Sequence, residues 1–268
     1  YKSYKLLFGN EKFYDKSSNI TLNYEYFYSC IDNMNISIDQ LMSSIQKLQF
    51  MVVNLNSPDD DPQLIFESLN STGVALTDAD KIRNFLLMNE NLPEQNKYFQ
   101  NYWQPLEENT HFEVSKFFRY FLTIKNAQFP KISNVYDEFK TTYNNLDFDK
   151  QNLFEDINDF SNTYKMILEC NTGTKKIDVI LNRFLELNVT VIRPFIMAII
   201  NDFVSNKIVE EEAIKIVELV EKYIARRIIT KTPSNALNKV IATLYRDFRQ
   251  FQDKHNNQYK DSEVIIFL

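Results

Sequence analysis

The chain has 268 residues, 44% of them hydrophobic and 25% charged, which allows one large domain or two modest ones around a substantial core. A formal net charge of −6 excludes a surface uniformly built for nucleic-acid backbone, which would carry a basic excess, but leaves room for a local basic face. With 3 glycines in the whole chain, phosphate-cradling loops are disfavoured, and no Walker or Rossmann fingerprint occurs.

Between Asn23 and Gln46 apolar residues recur at helical spacing (Phe27 and Ile31, then Ile38, Leu41, Met42 and Ile45), and the break at residues 33–35 divides them into two short helices. Residues 48–55 are few, β-branched in the middle and closed by Ser57-Pro58-Asp59, which predicts a buried strand paired with residues further upstream. Asp61-Pro62 suits an N-cap followed by proline in the first helical turn, and that helix runs through Leu64, Ile65 and Leu69 to a stop at Gly73. Thr77 and Asp80 then have the spacing of a capping box, ahead of an apolar stripe of Ala79, Ile82 and Leu86.

From Pro93 the pattern is helical almost without interruption, over residues 94–108, 112–125, 133–143, 150–170, 176–187, 190–204, 210–229 and 236–251. Pro105 and Pro194 predict a kink or a helix start. There is no repeat period of a solenoid. The expected fold class is mainly α, a multi-helix domain with one or a few strands near the N-terminus.

Cys30 and Cys170 lie far apart and outside any CxxC or Cys/His cluster, and His111 and His255 are isolated, so no metal site and no catalytic residue is expected. Apolar runs such as residues 195–200 are far shorter than the ~20 residues of a membrane span, and no signal-peptide pattern opens the chain, so a cytoplasmic protein without membrane contact is expected. Tyr1 opens without a methionine, and the apolar run 264–268 is awkward as a free end, so both ends are expected to be internal to a longer protein. Asp59-Asp60-Asp61 offers hard oxygen ligands for magnesium, but a solvated turn with an N-cap explains all three. Trp103 and the Phe and Tyr stripes read as core. Arg226, Arg227, Lys231, Lys239, Arg246 and Arg249 give the last helices a basic face, suited to DNA phosphates or simply to solvent.

The stretch from Ile65 to Leu87, IFESLNSTGVALTDADKIRNFLL, resembles the signature F-E-x-L-N-x-[RT]-G-x-x-L-[ST]-x-x-D of the GmrSD-type restriction endonuclease family. A weaker likeness covers residues 223–244, with Arg226-Arg227 and Pro233-Ser234-Asn235-Ala236-Leu237-Asn238-Lys239. The resemblance implies an N-terminal ParB-like α+β module that handles a nucleotide through a DGQQR motif, then helices, then an HNH nuclease. This sequence contains neither DGQQR nor a histidine set for that nuclease.

On this reading residues 1–92 are the C-terminal part of an incomplete ParB-like module and residues 93–268 a helical domain. Glu67, Asn70, Gly73 and Asp80 are the candidate cofactor-binding residues, and Arg226, Arg227, Lys231 and Lys239 the candidate DNA contacts. Each has a plainer alternative: Asn70 and Asp80 also suit backbone capping, and Gly73 a left-handed helix stop. No cofactor is expected in the chain itself, whereas GTP or ATP with magnesium is expected for the full-length protein. Expected partners are the missing nucleotide module and nuclease, DNA, and further copies in a homo-oligomer. The competing readings are a non-enzymatic scaffold for protein partners and a DNA-binding module.

Overall fold

Helix is the sole regular structure among the described residues, and several helices begin where a side chain accepts a first-turn N–H. The computed structural model describes residues 18–49, 52, 76–88, 90–144, 149–233, 237–255 and 260–267. It forms two compact units, Tyr1–Asn56 and Ser57–Leu268.

In the first unit, α1 (Asn19–Asp32) starts where the Ser18 hydroxyl accepts the Thr21 N–H at 3.2 Å. Helix α2 (Ile38–Ile45) starts with a reciprocal cap, the Gln40 N–H to Ser37 Oγ at 3.2 Å and the Ser37 N–H to Gln40 Oε1 at 2.9 Å. The two expected helices and the break between them are therefore present. Leu48, Gln49 and Val52 join no strand. The rest of the expected strand at 48–55, the Asp59-Asp60-Asp61 turn and the expected helix from Pro62 to Gly73 lie outside the described residues.

The second unit opens with α3 (Asp78–Leu87), followed by α4 (Leu92–Tyr98), a π turn (Phe99–Trp103) and α5 (Gln104–Asn109). The kink expected at Pro105 takes the form of this π turn. Proline has no N–H to donate one turn back, and the preceding Gln104 N–H reaches the Phe99 carbonyl five residues away, widening the helix by one residue. Then come α6 (Val114–Asn126), a short 3-10 turn (Ile132–Asn134), α7 (Val135–Asn144), α8 (Lys150–Glu169), α9 (Lys175–Glu186), α10 (Arg193–Val204), α11 (Glu210–Ile229), α12 (Leu237–Lys254) and α13 (Asp261–Phe267). Pro194 sits in the first turn of α10, where a missing N–H costs nothing.

Two helices form the centre. Helix α10 buries every residue from Pro194 to Asp202, as suits a helix that is apolar on most of its sides. Helix α6 buries Phe117, Phe118, Phe121 and Leu122 and packs against α3, α7, α8, α10 and α12. Aromatic rings dominate here as expected: Phe118 meets Phe139 edge-on at 5.3 Å between ring centroids and stacks on Trp103 at 6.1 Å. No helix among the described residues is long and apolar enough to cross a membrane.

Residues 264–267 of the apolar tail belong to α13, and Ile265 packs against the core. Helix α13 is held by Glu212 at the start of α11, which is 9% exposed. Glu212 Oε2 accepts the Ser262 N–H at 3.0 Å and the Ser262 hydroxyl at 2.6 Å, and Lys215 donates to Oε1 at 3.1 Å. Burial works against the charge, yet the Ser262 hydroxyl, its N–H and Lys215 together hold the carboxyl below the ordinary glutamate value. A depressed folded-state value means that the stabilisation is present above ~4.3, the unfolded value, and is lost as pH falls through the lower folded value. E212Q is thus expected to cost roughly 1–3 kcal/mol at neutral pH. In urea unfolding the gap between wild type and E212Q should close below about pH 4. Asp261, pushed up first by burial and in part by the Glu212 charge, titrates with the opposite sign, so the loss of that charge in E212Q offsets part of the cost at neutral pH.

Candidate functional site

The described end of the signature stretch is the start of α3. Thr77 Oγ1 accepts the Asp80 N–H at 3.2 Å, while Asp80 Oδ2 accepts the Thr77 N–H at 3.3 Å and the Thr77 hydroxyl at 2.6 Å. The capping box read from the sequence is therefore formed in both directions. The second Asp80 oxygen accepts Arg83 Nη2 at 3.0 Å, so both carboxylate oxygens are engaged within α3. Arg83 also lies 3.6 Å from Glu107 Oε1 and 6.0 Å above the Trp103 ring, and Trp103 Nε1 donates to the same Glu107 oxygen at 2.8 Å.

A continuous polar chain thus runs from the signature cap through Asp80, Arg83 and Glu107 to the buried indole. A second tie is the Ala79 N–H, which donates to Ser115 Oγ of α6's first turn at 3.1 Å. The apolar side of α3 (Ile82, Leu86 and Leu87) is buried in the core of the larger unit. The i, i+3 pair Asp80 and Arg83 was legible in the sequence from helical spacing. Glu107 was not, because its approach to Arg83 depends on how the π turn rotates α5. Glu67, Asn70 and Gly73 lie outside the described residues.

The C-terminal cations divide. Arg226, Lys231 and Lys239 are exposed, and Arg227 is half-buried, lying over the Tyr223 ring at 5.5 Å and donating to the Tyr223 hydroxyl at 3.2 Å and to the Pro233 carbonyl. Among the described residues no carboxylate comes within ion-pair distance of these four. Arg246 instead pairs with its neighbour Asp247 at 2.7 Å. Arg249 turns inward to Asp202, which removes it from the basic face expected from the sequence. The polarity of a long side chain on an amphipathic helix does not reveal that a buried acid awaits it. His111 lies 3.7 Å from Glu169, and His255 Nδ1 is 2.8 Å from the Phe251 carbonyl. No group of three metal-ligating side chains occurs among the described residues.

Residues 1–87 match the family described as GmrSD restriction endonuclease, N-terminal domain. The likeness to that family is thus carried by the first 87 residues of the chain. No curated protein and no solved structure matches it. The GmrSD match ends at Leu87, the last residue of α3. The last helix of the GmrSD segment is thus the one whose cap is tied to Trp103, and the four cations without a carboxylate partner among the described residues lie beyond the matched residues.

Proposed function

We propose that this chain is the helical middle of a restriction or phage-defence protein, coupling the state of a nucleotide-binding module to a DNA nuclease. The observation that carries the reading is the placement of α3. The end of the GmrSD-matched stretch is embedded in the helical core through Ile82, Leu86 and Leu87 and wired to it through Asp80, Arg83, Glu107 and Trp103. A shift of the signature corner would move the core with it, since close-packed interiors transmit displacement. On this proposal the nucleotide is GTP or ATP with magnesium, Glu67, Asn70 and Gly73 contribute a wall of its pocket, and Asp80 fixes that wall to α3. Arg226, Arg227, Lys231 and Lys239 face DNA phosphates, which their lack of carboxylate partners among the described residues favours.

The test is calorimetric titration of GTP and ATP with magnesium into this chain and into the full-length protein. The expected result is binding by the full-length protein and none by residues 1–268 alone. Binding by neither would favour the non-enzymatic scaffold, a reading supported by the exposed apolar face of α1 (Ile20, Phe27 and Ile31).

A further inference from the structure

A pocket of about 320 Å³ opens between α11, α12 and α13. Its floor is aliphatic, formed by Val220, Ile241, Leu244 and Ile265, and Lys222 and Arg226 stand among its lining residues. That is the composition of a small-molecule site, a mostly apolar concavity with a few convergent polar groups, at the lower end of the usual size range of roughly 300–1,000 Å³.

The polar groups are cationic or able to donate. Arg226 has no carboxylate within ion-pair distance among the described residues, and Lys222 is held loosely by Glu218 at 3.7 Å. Tyr223, also in the lining, accepts from Arg227 through its hydroxyl oxygen and so keeps its own proton to donate. Tyr223 and Val240 remain 41% and 44% exposed, so the apolar surface is open to an incoming molecule. In a chain of net charge −6, an uncompensated guanidinium beside a dry aliphatic floor selects for an apolar body with an anionic end.

The geometry points to a binding site for a small amphipathic anion, an aliphatic chain ending in a carboxylate, with the chain on Ile241, Leu244 and Ile265 and the carboxylate on Arg226. A DNA strand would satisfy the same cation but leave the aliphatic floor uncovered, so the anion and the proposed DNA contact compete for Arg226. The pocket lies outside the GmrSD-matched residues and needs no nucleotide, and of the four proposed DNA-facing cations it uses Arg226 alone.

The test titrates sodium decanoate, below its micellar range, into the methyl-labelled full chain, with 1-decanol as the uncharged control. One saturable site is expected, with methyl shifts at Val240, Ile241, Leu244 and Ile265. R226Q should weaken decanoate by about tenfold while leaving decanol unchanged. V240W, which fills the mouth from an exposed position, should abolish both, and neither substitution should move the melting temperature. Equal decanoate affinity in wild type, R226Q and V240W, or shifts confined to Ile20 and Ile31 of α1, would overturn the assignment. So would a concentration-dependent dimer lost in V240W, which would give the pocket to a second copy of the chain.

Discussion

Asp202→Ala is expected to cost about 3–5 kcal/mol of unfolding free energy, the range for removing one partner of a buried ion pair. Asp202 sits near the end of the central helix α10 and is 1% exposed. Its Oδ2 accepts the Tyr245 hydroxyl at 2.9 Å and the Arg249 guanidinium, and Lys207 lies 3.6 Å from Oδ1. Burial and then the Asp202 charge push the Tyr245 hydroxyl up to about 12, so it stays a donor at any working pH. Without the carboxylate, that hydroxyl and the inner face of Arg249 lose their acceptor together. Arg249 is itself 28% exposed along its side chain and can turn partly to water, which places the cost toward the lower end of the range. D202A combined with R249M should recover only part of the loss, because the guanidinium is no longer left unpaired but the Tyr245 hydroxyl still lacks its acceptor. Urea unfolding of the two single variants and the double variant measures this. A cost below about 1 kcal/mol for D202A would put the pair among those that surface solvent screens.

Trp103→Ala should be as severe. The indole is 1% exposed and stacks on Phe118, which also meets Phe117, Phe121 and Phe139. Truncating it removes the ring's transfer free energy and leaves a cavity that helices on several sides cannot all close, for about 3–5 kcal/mol. In a unit of this size that lowers the melting temperature by roughly 6–20 °C. Trp103→Phe keeps most of the volume and loses only the hydrogen bond to Glu107, so it should cost about 1 kcal/mol. Thermal unfolding followed by circular dichroism separates the two. A W103A protein melting within a few degrees of wild type would mean that the aromatic cluster is not what holds α5 to α6.

The helical course of the larger unit was legible because its signals are local. Period 3.6 stripes located α8 to α12 within one to three residues of their observed ends, and the box of Thr77 and Asp80 fixed the start of α3. Pro105 announced a disturbance, but its nature, a widened turn rather than a bend, depends on which carbonyl the Gln104 N–H finds. The apolar run at the C-terminus was read as an awkward end. Its partner Glu212 lies fifty residues earlier in α11, and only the fold brings it to Ser262. The same limit applies to the site. Asp80 and Arg83 are neighbours by spacing, whereas Glu107, Trp103 and the inward turn of Arg249 are tertiary facts with no local sequence trace. The strand expected at 48–55 and the candidate pocket residues Glu67, Asn70 and Gly73 fall largely or wholly outside the described residues, so the strand rests on its local composition and the candidates on the family likeness.

The most direct test of the coupling proposal is Arg83→Ala in the full-length protein, assayed for nucleotide binding by calorimetry and for nucleotide-stimulated DNA cleavage. Arg83 is a positioning residue on the outside of α3, with its ion pairs partly solvated. Its removal should therefore cost no more than about 1 kcal/mol of stability. The account predicts nucleotide affinity within about twofold of wild type, less than 0.5 kcal/mol, with the stimulation of cleavage largely lost. Stimulation at the wild-type level in R83A would contradict it, and would mean that the path from α3 to Trp103 is structural support rather than the link between nucleotide and nuclease.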